Sequence, residues 1–227
     1  MRVGHVVLSL VASCIMLSAW AGEETSKQAP LKGPFETDAD GFILNWLIVG
    51  PFPNPGDRPD NKGFFVDYLK DAGGEANHVP ANGMEIAGGG SKGDKKVKWE
   101  PYAQTSSSMI SFFDVPHLKI ENQEEDILTY SACWVEVEKD VDVEVRIGSD
   151  DAYKLWIDHK KVGEVHEYRS SEQDQEKYPM KLTAGKHLIL IKVDQDYGGF
   201  EFMLRIVTSD GKKVPGIKVW NLHCPNR

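Results

Sequence analysis

Four aromatic side chains in the second half of the chain are the residues best suited to bind a sugar. Tyr153 and Trp156 lie in one strand-like run, and Tyr197 and Phe200 lie in a glycine-containing loop. The faces of pyranose rings carry C–H groups that stack on aromatic rings, and a rigid sheet holds such rings at low entropic cost. These four residues are therefore the candidate carbohydrate-binding residues.

The alternation of residues around Trp156 predicts where its ring points. Trp156 lies between Leu155 and Ile157, and neighbouring side chains on a strand face opposite sides of a sheet. If Leu155 and Ile157 line the core, we expect the ring of Trp156 to face outward or into a cleft. The alternative is that it fills the core, as we expect for Trp46 and Trp134 because they sit in apolar runs.

Two pairs of aspartates stand beside these aromatic residues. Asp150 and Asp151 precede the first tyrosine, and Asp194 and Asp196 precede the second. Carboxylates at strand ends often cap backbone amides in turns. The sequence contains no His-Glu-x-x-His motif and no zinc-spaced set of Cys and His residues. Since no nucleophile, base and orienting group can be named together, we predict that the protein is not an enzyme.

The elements that position these residues are predicted to be strands. Apolar residues alternate with polar ones over residues 141–147 and alternate in the same way over 200–206, as in strands with one wet face. Residues 187–193 are nearly apolar throughout, as in a central strand packed on both sides. One short helix is predicted over 64–71. The pattern indicates an all-β protein, an antiparallel β-sandwich or jelly roll with one short helix.

Composition and charge restrict the class of partner. The chain has 227 residues, with 26 Lys and Arg against 35 Asp and Glu, and a formal net charge of −9. DNA, RNA and anionic membranes require a cationic face, and the sequence shows no basic run, so we expect none of them as a partner. The Gly- and Lys-rich segment 87–96 lacks the Gly-Lys-Ser/Thr ending of a phosphate-binding loop, so it predicts a mobile hairpin tip.

The N-terminal segment has the pattern of an export signal. Arg2 precedes an apolar run that ends in Ala19-Trp20-Ala21, which predicts a signal peptide over residues 1–21. A flexible spacer is expected over 22–40 and one folded domain over 41–227. An uncleaved anchor is one alternative; lipidation at Cys14, after a weak lipobox, is another. We expect a secreted, periplasmic or cell-surface protein with no membrane span after cleavage.

Export leaves two cysteines, Cys133 and Cys224. In an oxidising compartment they could pair and tie the C-terminal tail to the core. The alternative is that Cys133 is simply a small buried hydrophobic residue. No Cys-x-x-Cys or His spacing accompanies them, so a zinc site is not predicted.

Several motifs occur in an order that resembles a known domain family. They are Ser149-Asp150-Asp151, Leu155-Trp156-Ile157-Asp158, Leu182-Thr183-Ala184-Gly185 and Tyr197-Gly198-Gly199-Phe200. This order resembles the anthrax-protective-antigen-type β-sandwich domain, which is lectin-like. It is also similar to jelly-roll carbohydrate-binding modules of secreted bacterial glycoside hydrolases, in which an opening motif like residues 45–53 precedes the same core.

The resemblance implies carbohydrate binding assisted by calcium. In the lectin branch of that family, an adjacent Asp pair binds a calcium ion that in turn binds sugar hydroxyls, and Asp150 and Asp151 occupy that position. Asp194 and Asp196 are expected at the same rim. Calcium prefers several hard oxygen ligands, which carboxylates supply. The asparagine that lectin members draw from a second loop is not identifiable here, and a simple turn remains the alternative.

Taken together, the sequence predicts an exported, non-catalytic carbohydrate-binding module that recognises a glycan or polysaccharide at the bacterial cell surface or outside the cell. The first alternative is a structural or adhesive module that pairs with envelope proteins. The second is a small secreted glycan hydrolase or lyase. The sequence leaves the sugar, the partner and the oligomeric state open.

Overall fold

The structure is an antiparallel β fold in which short helical turns are confined to loops. The computed structural model describes Met1, residues 33–120 and residues 125–222. Within these residues, single-turn 3-10 helices span Gly63–Phe65, Lys70–Ala72 and Phe112–Asp114. The strands, in chain order, are β1 (Phe35–Glu36), β2 (Asn45–Pro53), β3 (Glu85–Gly89), β4 (Lys95–Lys98), β5 (Glu100–Ala103), β6 (Ile110–Ser111), β7 (Ile127–Val137), β8 (Val141–Asp150), β9 (Tyr153–Ile157), β10 (Lys160–Val165), β11 (Glu176–Leu182), β12 (Gly185–Gln195), β13 (Glu201–Val207) and β14 (Lys218–Trp220).

Two sheets form the sandwich. The larger sheet has the order β1-β14-β7-β12-β9-β10, and β2 joins it by pairing with both β7 and β5. The smaller sheet has the order β11-β8-β13-β6, and β3 and β4 form a separate hairpin. Every pairing is antiparallel. The predicted all-β sandwich is confirmed.

The main core lies between the two sheets. Val145 and Ile147 of β8 share one buried cluster with Ile189 and Ile191 of β12. These residues lie at every second position of their strands, so the period of two seen in the sequence corresponds to the inward face. Burying such aliphatic side chains contributes about 1.5–3 kcal/mol each to the free energy of folding.

The larger sheet is also covered on its outer face. Leu188 and Leu190, on the other side of β12, belong to a second buried cluster. The residues that cover them include Leu69, Ile86 and Trp99, which come from the long excursion between β2 and β7. The prediction that residues 187–193 pack on both sides is confirmed.

Two further segments can be compared with the sequence. Two 3-10 turns stand where one short helix was predicted over 64–71. Part of the predicted spacer is ordered as β1, in which Phe35 pairs with Val219 of β14. Among the described residues, no helix combines the length and the apolar character needed to cross a membrane.

The signal peptide, the lipobox cysteine Cys14 and the second exported cysteine, Cys224, lie outside the described residues. Their predictions stay predictions. Cys133 is fully buried in the core between the sheets, and burial raises the pKa of its thiol well above the usual range.

Candidate functional site

The site forms at the edge of the sandwich where β8 and β12 end and β9 begins. Antiparallel pairing places Val193 of β12 opposite Tyr153 of β9. The ladder continues beyond β9, because the N–H of Asp151 donates to the carbonyl of Asp194 at 3.0 Å and the N–H of Asp194 donates to the carbonyl of Ala152 at 3.0 Å. The peptide bond between Asp150 and Asp151 is cis. The two aspartate pairs named from the sequence therefore meet at one rim.

Asp194 is fully buried and accepts hydrogen bonds at both carboxylate oxygens. Its Oδ1 accepts from the N–H of Ala152 at 3.0 Å and from Nη2 of Arg58 at 3.0 Å. Its Oδ2 accepts from the side-chain amides of Asn61 at 2.8 Å and Asn54 at 3.0 Å. A buried carboxylate is costly unless it is paired and hydrogen-bonded, and here it is both.

Arg58 also reaches the two neighbouring carboxylates. Its Nε donates to Oδ2 of Asp196 at 3.1 Å, and its Nη2 lies 4.0 Å from Oδ2 of Asp151. Asp151 is itself fully buried and accepts from the N–H groups of Arg169 and Asp196, each at 3.0 Å. Burial raises the pKa of Asp151 to about 6, against the opposing effects of those two hydrogen bonds and of the Arg58 charge.

This arrangement does not fit the calcium site predicted from the resemblance. Calcium requires six to eight oxygen ligands, and a guanidinium cannot be one. Oxygens of Asp151, Asp194 and Asp196 already accept hydrogen bonds from amides or from Arg58, which supplies the positive charge that the ion would supply. Over residues 33–120 and 125–222, no group of three or more His, Cys, Asp or Glu side chains is arranged to hold a metal ion.

Asp150 stands on the other side of the rim and is only 7% exposed. Burial, followed by the charges of Asp151 and Glu201, raises its pKa to about 7. A Cβ atom placed on Gly199 would lie 2.7 Å from Oδ2 of Asp150, so this close approach of the loop requires glycine.

The structure buries three of the four predicted carbohydrate-binding residues. Tyr153 lies in the main core with its hydroxyl against that of Tyr178, and Phe200 packs on Phe112 with ring centroids 4.5 Å apart. Trp156 does point away from the main core, as its alternation predicts, but it is only 4% exposed because the β2–β7 excursion covers it. The expectation of a ring open to a ligand is thereby corrected for these three residues.

Tyr197, the fourth, is 55% exposed and forms a stacked pair with Tyr168, which is 51% exposed. The ring centroids are 4.6 Å apart and the planes meet at 26°. Sequence reasoning missed Tyr168 because it lies in a polar insertion without strand periodicity. No pattern in the sequence marks it, since its pairing with Tyr197 is a tertiary contact.

The exposed aromatic surface continues towards the 3-10 turn after β2. Phe65 is 60% exposed and makes an edge contact with the ring of His166, with centroids 5.0 Å apart. His166 stacks on the buried ring of Phe64, and its Nε2 lies 2.6 Å from Oδ1 of Asn61. We call the set Phe65, His166, Tyr168 and Tyr197 the aromatic rim.

One string elsewhere in the chain has the spacing of a catalytic motif without its geometry. Residues 89–93 read Gly-Gly-Ser-Lys-Gly, which matches Gly-x-Ser-x-Gly. A nucleophile elbow is a sharp turn from a strand into a helix. Here the string instead lies in the turn between β3 and β4, a hairpin, so Ser91 is not held as a nucleophile.

Comparisons with known proteins give structural neighbours only. No protein-family model matches the chain, and no curated protein matches it. The PA14 domain of the antifreeze protein MpAFP has 12% identity and a TM-score of 0.39, covering 83% of this chain and 94% of that chain. The PA14 sugar-binding domain from an RTX adhesin has 16% identity and a TM-score of 0.33, covering 72% and 89%.

A third similar structure is the A domain of epithelial adhesin 9 from Candida glabrata, in complex with Galb1-3GlcNAc. It has 8% identity and a TM-score of 0.43, and the match covers 87% of this chain and 98% of that chain. At these values the three similarities carry no argument about the site, which stands on this chain's own side chains.

Proposed function

We propose that the protein is an exported, non-catalytic carbohydrate-binding module that stacks a sugar ring on its aromatic rim. The observation that carries the proposal is the exposed, stacked pair of Tyr168 and Tyr197 above a buried network of carboxylates. Exposed aromatic rings are costly to leave in water, and a rigid pair offers a flat face of the kind that binds the C–H face of a pyranose.

The pair is held in place before any ligand arrives. Arg169, next to Tyr168, donates its N–H to Asp151 at 3.0 Å, and its Nη1 lies 2.7 Å from Oε1 of Glu176. Asp196, next to Tyr197, is held by Arg58. A site that is already ordered loses less conformational entropy on binding, which favours affinity for a weakly interacting ligand such as a sugar.

The charges around the rim favour a neutral glycan. Asp150 and Glu201 lie beside Gly199 in the loop that carries Tyr197, and the hydroxyl of Ser171 donates to Oε1 of Glu201 at 2.8 Å. The carboxylates can accept hydrogen bonds from sugar hydroxyls, and a serine hydroxyl can donate or accept, whereas the carboxylate charges repel a uronate or a sulfate group.

Calcium and export are separate components of the proposal. Because Arg58 places a positive charge among three of the four predicted ligands, we propose that glycan binding at this rim needs no metal, and the calcium prediction is left to a chelator experiment. Export is tested by N-terminal sequencing of protein recovered outside the cytoplasm. Cleavage after Ala21 gives Gly22 as the first residue, whereas a lipidated protein begins at Cys14.

The experiment is a glycan array probed with the purified protein, once with calcium and once with a chelator. Binding to a family of neutral glycans in both conditions supports the proposal. Binding lost in chelator restores the calcium prediction. An array with no signal at all contradicts the carbohydrate function and favours the adhesive, protein-binding alternative.

One observation favours a second candidate, a small glycan hydrolase or lyase. The pKa of Asp150, raised to about 7, is suited to a general acid, and the carboxylate of Glu201 lies near it. Release of reducing ends or unsaturated products from polysaccharides, abolished in Asp150→Asn, would establish this function. Turnover unaffected by that substitution would show that Asp150 is not the general acid.

A further inference from the structure

A second cleft, separate from the aromatic rim, lies between the β3–β4 hairpin and the segment after the Phe112–Asp114 turn. Its volume is about 960 Å³, within the range of pockets that bury small ligands. The lining residues are mostly small or charged: Gly50, Pro51, Gly90, Ser91, Lys95, Lys96, Val97, Lys98, Glu100, His117, Leu118 and Lys119.

Four of these lining residues are lysines and one is a glutamate. Lys96 and Lys98 form ion pairs with Glu85 at 3.2 and 3.4 Å, and these groups are exposed, so the pairs are weak. Within the described part of the chain, Lys95 and Lys119 have no ion-pair partner within 4 Å. Three of the four lysines lie in the run Lys95-Lys96-Val97-Lys98, and the fold brings Lys119 to the same cleft on a protein of net charge −9.

The hairpin that forms one wall is fixed to the sandwich. The N–H of Gly90 donates to the carbonyl of Pro51 at 2.8 Å, and a Cβ on Gly93 would lie 3.2 Å from the ring of Pro53. On the other wall, Nε2 of the half-buried His117 lies 3.1 Å from the carbonyl of Ile48. The mobile hairpin tip predicted over residues 87–96 is therefore docked against β2, and the lysines project from an ordered frame.

We propose that this lysine cleft binds an acidic polysaccharide through the carboxylate or sulfate groups of its sugars. Lys95 and Lys119, on opposite walls, provide point charges for anionic groups spaced along a polysaccharide chain. The small residues Gly50, Pro51 and Gly90 leave room between them for the sugar rings of an unbranched chain. Of the described lining residues, only Pro51 and His117 carry a ring, so these residues do not offer the aromatic stacking surfaces on which single-stranded nucleic acids bind.

Among the described residues that line the cleft, Glu100 is the only acidic one, so its charge gives a specific test. Removing its charge should strengthen the binding of an anion, whereas a cleft that serves only the packing of the hairpin would show no such gain. The lysine cleft shares no lining residue with the aromatic rim, so its ligand is independent of the neutral glycan proposed above.

The test measures binding of the purified protein to a polyuronate, a sulfated polysaccharide, a neutral glucan and a single-stranded oligonucleotide by calorimetry at low salt. We expect one or both acidic polysaccharides to bind, with affinity falling as salt is added. The double variant Lys95→Glu/Lys119→Glu should lose at least tenfold in affinity, and Glu100→Gln should gain. Which acidic polysaccharide binds more tightly distinguishes carboxylate from sulfate.

The matched control is Lys177→Glu/Lys181→Glu, which reverses two exposed lysines on β11, in the other sheet. Equal losses in the control and the double variant, or oligonucleotide binding as tight as polysaccharide binding, would overturn the proposal, as would no binding of either acidic polymer. Tyr197→Ala should leave acidic binding intact, so failure of the rim and failure of the cleft are distinguishable.

Discussion

The guanidinium of Arg58 lies 3.0 Å from Oδ1 of Asp194, a residue 136 positions later in the chain. This pair ties the loop after β2 to the end of β12 and places a positive charge among three carboxylates. The side chain of Arg58 is 9% exposed and that of Asp194 is fully buried, so the interaction is shielded from water. Arg58 thus supplies the positive charge that a bound metal ion would otherwise supply to these carboxylates.

Removing Arg58 should destabilise the protein strongly. Arg58→Ala leaves the buried carboxylate of Asp194 without its charge partner, and breaking a buried pair in this way costs about 3–5 kcal/mol in the free energy of unfolding. Urea denaturation measures the change. Lys181→Ala, which breaks an exposed pair with Asp140, is the control and should cost far less, because water screens an exposed ion pair. Equal costs would contradict the structural role of Arg58.

Added calcium should raise the melting temperature of a variant that lacks the Arg58 guanidinium but not that of the wild-type protein. Arg58→Gln keeps hydrogen-bonding capacity but leaves three carboxylates without a cation, so added calcium should raise its melting temperature. The wild-type melting temperature should not respond to calcium or to a chelator. A calcium-dependent rise in the wild type would show that an ion displaces or joins Arg58, contrary to this account.

The raised pKa of Asp150 predicts a pH-dependent stability. The folded state holds this proton up to about pH 7, whereas an unfolded chain releases it near the ordinary value of 3.8. Ionisation of Asp150 therefore opposes folding. The resulting loss in the free energy of unfolding is absent below pH 4, grows between pH 4 and 7, and is complete above pH 7. Asp150→Asn should be more stable than wild type at pH 8 by about 1–3 kcal/mol in the free energy of unfolding.

At pH 4 the advantage of Asp150→Asn should vanish, because the wild-type carboxyl is then protonated as well. Denaturation curves at both pH values check this. The pKa of the exposed Asp140 is instead lowered, by the N–H of Ala184 and by Lys181, so ionisation of this carboxyl favours the folded state. Asp140→Asn should therefore give no gain in stability at pH 8. An advantage of Asp150→Asn that persists at pH 4 would rule out charge as its cause.

The strands could be predicted from the sequence because alternation is a local property. Residues 141–147 and 187–193 have the predicted relation to the core, since one face or both faces of each strand are apolar. The cover over Trp156 could not be predicted, because it comes from residues such as Leu69 and Trp99, far away in the chain.

The candidate site could be predicted only in part, because some of its residues are brought together from distant parts of the chain. The aspartates and Tyr197 stand at strand ends, where turn chemistry marks them. Arg58 carries no pattern that assigns it to Asp194, and Tyr168 lies in an insertion without periodicity. Their roles arise from tertiary contacts alone.

The sugar site is tested most directly by calorimetry, which compares how tightly a glycan found on the array binds to the wild type and to Tyr168→Ala/Tyr197→Ala. We predict at least a tenfold loss of affinity, since two stacking faces disappear while the buried network stays intact. Val79→Ala, at another exposed apolar residue, is the control and should bind like wild type. Unchanged affinity in the double variant would contradict the assignment of the sugar site to the aromatic rim.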